Sequence, residues 1–228
     1  MKCFAFAMEK EARPLLEQAE VISSKKCGYA TIYEVKKDGL SSLIGVSGIG
    51  KAFAASLIAS VCLLHPEVDE IINVGVGGSI DAEKAPLLSA VIASSFTEHD
   101  LDTSPIGDPV GMVSGINLIY LPASKSINGS LELACKSLNV PVCYGVMSSG
   151  DRFIVDSLEK KKIQDAFGTL SIDMESAPMA QIAYSHGKEF SALRIISDTG
   201  NAGEYEAYVH QAAQIATNVI LALLKKDA

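Results

Sequence analysis

The stretches Ser171-Ile172-Asp173-Met174-Glu175-Ser176 and Arg194-Ile195-Ile196-Ser197-Asp198 decide how this chain is read. Each is an apolar run that closes on carboxylates, and a run of this kind is a strand buried in a sheet. An acid at the end of such a strand must be paired, open to a cleft, or chemically employed, because an isolated buried charge is too costly. Ala7-Met8-Glu9-Lys10-Glu11 closes the first apolar run in the same way. Three strand ends with acids imply one cleft at the carboxyl edge of an α/β sheet.

Outward from these stretches the pattern alternates. Strands are predicted at 2–8, 41–47, 70–76, 87–96, 142–148, 170–174 and 190–197. Helices are predicted at 9–19, 51–64, 126–137, 156–166, 175–185 and 204–225. This alternation marks an α/β protein. A hairpin over 20–36, turning near Lys26-Cys27-Gly28, argues against a purely doubly wound sheet. The 228 residues suit one domain spanning 1–228. Residues 99–116 hold three Asp, two Pro and three Gly with little periodicity. A loop of this length in a compact domain is functional or mobile.

Composition excludes several classes. Hydrophobic residues are 48% and charged residues 20%, enough for a sizeable core. The net charge of −8 repels phosphate backbones, so no nucleic-acid partner is expected. The charged run Glu159, Lys160, Lys161, Lys162 reads as a solvated helix face. No run of about 20 apolar residues predicts a membrane span. Glu9 and Glu11 interrupt the apolar N-terminus at once, which favours a buried first strand over a signal peptide. The five cysteines are odd in number and lack metal-ligand spacing, as expected of reduced thiols in a cytoplasmic protein.

Few motifs compete with the acids. Gly45-Val46-Ser47-Gly48-Ile49-Gly50-Lys51-Ala52 approaches a P-loop but ends on Ala52, which has no hydroxyl for magnesium. Its glycines still offer N–H groups at a helix N-terminus to a polar ligand or a water. Gly75-Val76-Gly77-Gly78-Ser79-Ile80 half-matches a dinucleotide fingerprint, and reads better as a strand running into a glycine loop. Ser157 and Lys160 form a Ser-x-x-Lys pair on the charged helix, without catalytic meaning. The four histidines are scattered. His99-Asp100 is the one metal-like pair, and a structural hydrogen bond suits that polar loop better. No metal and no cofactor are therefore expected. Asp173 and Glu175 fit caps of the helix that follows, Asp173 above all. Several carboxylates without histidine, metal or thiol point to hydrolysis through a cationic transition state, as in glycosyl cleavage.

Six segments then stand together in order and spacing: Ala7-Met8-Glu9-Lys10-Glu11, Ser47-Gly48-Ile49-Gly50-Lys51, residues 73–78, Ser149-Gly150-Asp151-Arg152-Phe153-Ile154, Asp173-Met174-Glu175 and residues 194–198. In this the chain resembles the 5′-methylthioadenosine/S-adenosylhomocysteine nucleosidases of the nucleoside phosphorylase superfamily. The resemblance implies a three-layer α/β/α sandwich around a mixed, partly barrel-like sheet. It also implies a reaction in which water attacks C1′ of the ribose and adenine leaves. By the same resemblance Glu11 is the base that activates water, Asp198 the acid that protonates adenine N7, Ser197 its orienting partner, and Arg194 a neighbour of Glu11. Glu175 would accept the ribose hydroxyls, Met174 pack on the sugar, Phe153 stack on the base, and the backbone of Ile154 read its Watson–Crick edge. Met8, Val76 and Gly77 would line the substrate pocket. Thr103 and Ile106 would reach the 5′ end of the pocket across a homodimer.

The resemblance is incomplete at Val76, where relatives often carry a small polar residue, and over Thr199-Gly200-Asn201-Ala202. A purine nucleoside phosphorylase of the same superfamily is an alternative. Asn73, where a phosphate-binding arginine would stand, and Glu11, which would repel phosphate, both disfavour it. A nucleosidase of 6-amino-6-deoxyfutalosine needs the same acids. A non-catalytic nucleoside-binding protein would not need Glu11 and Asp198 together.

Overall fold

A computed structural model of the chain describes residues 1–227. The first strand, β1 (Lys2–Phe6), shows how the sequence makes its layers. Phe4 and Phe6 face one core cluster while Cys3 and Ala5 face the other. That is the two-residue period of a strand buried on both sides. The first cluster is covered by α1 (Glu9–Leu16), α3 (Lys125–Ser137) and α6 (Ala202–Asp227). The second is covered by α2 (Lys51–Leu64) and α5 (Ser176–Ser185). In α2 the buried positions Ala54, Leu57, Ile58, Val61 and Cys62 follow the spacing of a single helix face. The result is the three-layer α/β/α sandwich implied by the resemblance.

The remaining strands are β2 (Glu20–Cys27), β3 (Ala30–Lys37), β4 (Leu40–Val46), β5 (Glu70–Ser79), β6 (Ala90–Glu98), β7 (Leu121–Pro122), β8 (Val142–Ser149), β9 (Thr169–Asp173) and β10 (Glu189–Asp198). A short helix, α4 (Ser157–Phe167), precedes β9. All ten strands join one mixed sheet ordered β10-β6-β8-β9-β5-β1-β4-β3-β2, with β7 beside β6. β10 also pairs with β5, so five strands close a ring: β5, β10, β6, β8 and β9. The antiparallel β2–β3–β4 extension is the hairpin region that the sequence separated from a doubly wound sheet.

Two expectations change here. The cleft does not lie at one carboxyl edge. β10 runs parallel to β5, whereas β9 runs antiparallel to it, and their ends meet over β5 from opposite directions. The second glycine segment is not a loop either, because β5 continues through Gly75, Gly77 and Gly78 to Ser79. These glycines remove side chains where others must approach. A Cβ at Gly75 would lie 2.8 Å from Glu11 Oε1, one at Gly77 2.9 Å from Ser171 Oγ, and one at Gly78 3.2 Å from Asp198 Oδ1.

α6 is the one described helix long and apolar enough to match a membrane span, and half of its most apolar stretch is buried within the fold. Its buried residues, among them Ala212, Ala216, Val219 and Ile220, belong to the core cluster it shares with β1 and β10.

Candidate active site

A cavity of about 340 Å³ opens over the glycines of β5. It brings together Met8, Glu11, Val76, Gly77, Phe153, Met174, Glu175, Arg194, Ser197 and Asp198, which the sequence placed in one site. Ile154 lines a smaller recess of about 50 Å³, which shares Gly78, Phe153, Met174 and Asp198 with the cavity. Thr103 and Ile106 line neither space. Ile106 stands 83% exposed on a single helical turn, Ser104–Ile106. That turn belongs to a loop folded on Asp108, which accepts from the hydroxyls of Thr103 (3.1 Å) and Ser114 (3.0 Å).

Glu11 sits in the first turn of α1, where the helix dipole favours an acid. Its Oε1 accepts the Val76 N–H and its Oε2 the Met8 N–H, each at 3.0 Å. Burial raises its pKa above the usual carboxylate value, against the pull of these N–H groups and of Arg194. A buried carboxylate held on two fixed donors is a preorganised base. Val76 therefore contributes to the site through its backbone.

Asp198 ends β10 at a step in register, since Ile196 pairs with Gly77 and Asp198 with Gly78. Two residues of β10 thus face one of β5, which is a bulge. A regular strand would point Ser197 and Asp198 to opposite faces. Here both line the cavity, and Ser197 Oγ donates to Asp198 Oδ2 at 3.0 Å. Asp198 Oδ1 accepts the Gly200 N–H at 2.8 Å. Burial raises the pKa of Asp198, the direction a proton donor near neutrality needs.

Between these acids lies a buried ionic cluster. Arg194 is 2% exposed. Its guanidinium contacts the Asp173 carboxylate at 3.0 Å and Glu175 at 4.0 Å, and donates to Asn73 Oδ1. Asp173 does cap α5, accepting the N–H groups of Glu175 and Ser176 at 3.0 Å. It also accepts the hydroxyls of Ser149 and Ser176. Burial opposes its charge, yet Arg194 and these hydroxyls hold its pKa below the usual carboxylate value. Glu175 takes the opposite direction: burial first, then the charge of Asp173, push it up to about 7. Its Oε1 accepts the Gly50 N–H at 3.0 Å, and Asp151 accepts that of Lys51 at 2.8 Å. The P-loop-like turn is therefore filled by the protein's own carboxylates.

Other sequence readings are corrected by contacts. Asn73 lies fully buried, donating to Ala5 O at 2.9 Å, and does not line the cavity. It cannot mark the approach of a phosphate. Asp100 binds Lys51 at 2.6 Å and accepts the Asp151 N–H at 3.0 Å, a structural engagement of the kind expected of that polar loop. Lys160 is not on a solvated face: it is half-buried, lines the recess beside Asp198, and donates to the Thr199 carbonyl. Tyr205, in the first turn of α6, was missed. It lines the cavity, meets Phe153 edge-on at 5.8 Å and accepts from Lys10 at 3.1 Å. An aromatic residue soon after an acid-bearing strand was the available signal.

Among the residues lining the cavity, five acids (Glu11, Asp173, Glu175, Asp198, Glu206) face one cation, Arg194. Such a site can stabilise developing positive charge and exchange protons at two carboxyls. The family model of the phosphorylase superfamily matches residues 3–226, so the chain belongs to that superfamily. An aminodeoxyfutalosine nucleosidase of Campylobacter jejuni is 30% identical over 226 residues, 96% of each chain. A 5′-methylthioadenosine/S-adenosylhomocysteine nucleosidase of Shewanella halifaxensis is 27% identical over 224 residues, again 96% of each. In fold, the chain superposes on the Neisseria meningitidis 5′-methylthioadenosine/S-adenosylhomocysteine nucleosidase, solved with methylthio-immucillin-A. The TM-score is 0.92 at 24% identity, over 99% of this chain and 98% of that one.

Proposed function

We propose that this protein hydrolyses the N-glycosidic bond of 5′-methylthioadenosine and S-adenosylhomocysteine, releasing adenine and a thioribose, as a step of methionine salvage. The chain is an N-glycosyl hydrolase of adenosine-type nucleosides, a reading supported by its nucleosidase relatives. Glu11, on its two backbone donors, orients water and removes its proton. Asp198, steered by Ser197, delivers a proton to N7 so that adenine leaves neutral. Glu175 accepts the ribose hydroxyls, and the surrounding carboxylates stabilise the oxocarbenium-like sugar.

The charge of the cavity carries the choice of water over phosphate. A phosphate dianion would enter among five acids with one arginine, itself paired with Asp173 at 3.0 Å. The test is adenine release from 5′-methylthioadenosine with and without phosphate. Equal rates and free thioribose are expected. A rate that rises steeply with phosphate, yielding a ribose 1-phosphate, would overturn the hydrolase reading. Because a Campylobacter jejuni relative is an aminodeoxyfutalosine nucleosidase, 6-amino-6-deoxyfutalosine is compared with 5′-methylthioadenosine in the same assay.

The protein is further proposed to act as a cytoplasmic homodimer. Ile106 is exposed, and so are Ile49, Phe53 and Tyr29 beside the cavity mouth, the last two stacked at 4.6 Å. Apolar surface of this kind is stabilised by burial at roughly 25 cal/mol per Å². Loop 99–112 of one subunit, with Thr103 and Ile106, then borders the 5′ end of its partner's site.

A further inference from the structure

The recess beside Asp198 holds a cation that the mechanism above does not use. Lys160 reaches it from α4 and donates its ammonium to the carbonyl of Thr199, the residue after the acid. The approach is built into the chain. Gly200 has φ +83°, and a side chain there would collide with the end of Lys160. Glu204, from α6, closes the other side of the turn by accepting the Thr199 N–H at 2.8 Å and its hydroxyl at 2.9 Å. The turn after Asp198 is thus clamped between a lysine and a glutamate.

We propose that Lys160 is a positioning residue for Asp198: its ammonium locks the turn that carries the acid, and its charge lowers the pH above which Asp198 can no longer donate a proton. The inference rests on the nucleosidase reading. The other charges around Asp198 are accounted for. Arg152, at the rim of the recess, is neutralised by Glu159 through contacts of 2.6 and 3.1 Å. Asp173 is neutralised by Arg194. Glu204, held in its ionised form by Thr199, opposes Lys160 at Asp198 and is unchanged in the variants below. Among the described residues lining the recess, Lys160 is the cation without a carboxylate in direct contact. A nearby positive charge favours the ionised form of an acid, here against burial, which favours the protonated one. This places the lysine and Thr199-Gly200 in one device, and gives a reason for the unusual sequence after the acid.

The experiment compares full-length wild type, Lys160→Met and Lys160→Arg by the pH profile of kcat/KM for 5′-methylthioadenosine. In parallel, the Asp198 carboxyl is titrated by carbon NMR of aspartate-labelled protein, assigned by its loss in Asp198→Asn. Removing the charge is expected to move the alkaline limb and the Asp198 titration to higher pH together, by about one unit. Arginine is expected to keep both near wild type. Lys160→Gln serves the same comparison should methionine prevent folding. Unchanged limb and titration in a folded neutral variant, whatever its plateau rate, would overturn the proposal. Absence of adenine release from wild type would refute the function instead, and the NMR titration would still decide the role of Lys160.

Discussion

Replacing Glu175 with glutamine is expected to stabilise the protein, and to do so only toward alkaline pH. Glu175 is 7% exposed, and burial together with the charge of Asp173 raises its carboxyl from 4.5 to about 7. An acid with a raised pKa binds more protons folded than unfolded. Its contribution to stability is therefore lost as pH rises from the lower value through the higher. Over roughly 2.5 units, at about 1.4 kcal/mol each, the loss reaches about 3 kcal/mol by pH 8. Glutamine stays neutral across this range, and its carbonyl can still accept the Gly50 N–H that Glu175 accepts at 3.0 Å. The Asp173–Arg194 contact at 3.0 Å remains. For a domain of this size each kcal/mol moves the midpoint by about 2–4 °C, giving about 6–12 °C in all. The assay is thermal unfolding of ligand-free wild type and Glu175→Gln by circular dichroism at pH 5 and 8.5. The two should melt together at pH 5, and the variant well above wild type at pH 8.5. A gap independent of pH, or a variant less stable at pH 8.5, would refute the account of Glu175 as a carboxylate held against its own solvation. The variant should meanwhile lose affinity for the ribose, so stability and activity move in opposite directions.

Glu11→Gln and Asp198→Asn are each expected to lower kcat/KM by roughly 10²–10⁴-fold with the circular dichroism spectrum unchanged; near-wild-type turnover in Asp198→Asn removes the acid from the mechanism. Gly75→Ala should lower kcat far more than it lowers Tm, because the new methyl would lie 2.8 Å from Glu11 Oε1 and displace the base; equal activity would show that Glu11 need not be held so closely. Ile106→Asp puts a charge into the proposed subunit contact, and should weaken both dimerisation and affinity for 5′-methylthioadenosine. Sedimentation and KM measured on the same sample check this, and a fully active wild-type monomer would sink the shared site.

Much of the site was legible because its chemistry lies at strand ends, where an acid after an apolar run is conspicuous. Glu11, Asp173, Glu175 and Asp198 all came from that one signal. The direction of β9 was not legible, since an apolar run reads the same whether its neighbour is parallel or antiparallel. β5 was ended at Val76, short of Ser79, because glycines usually end strands; here they make room for Glu11, Ser171 and Asp198 arriving from other elements. Lys160 was assigned to solvent because its neighbours are charged. A long side chain can leave a polar helix face and end in a pocket. The second role of Asp173 was hidden for a similar reason. Capping is a local relation visible in sequence, whereas its contact with Arg194 depends on how two strands come together.

The extra residue in β10 has a consequence for how the site can change over time. Because Ser197 and Asp198 enter the cavity side by side from one irregular turn of strand, the acid and the hydroxyl that steers it travel as a single module. Substitutions in α6 or in the 199–201 connection can shift that module without altering the distance inside it. Deleting one residue from the bulge would do the reverse: it would restore simple alternation and turn one of the pair away from the substrate. Drift in the surrounding connection can therefore retune the acid while leaving it intact, whereas loss of a single residue at this point would abolish it in one event.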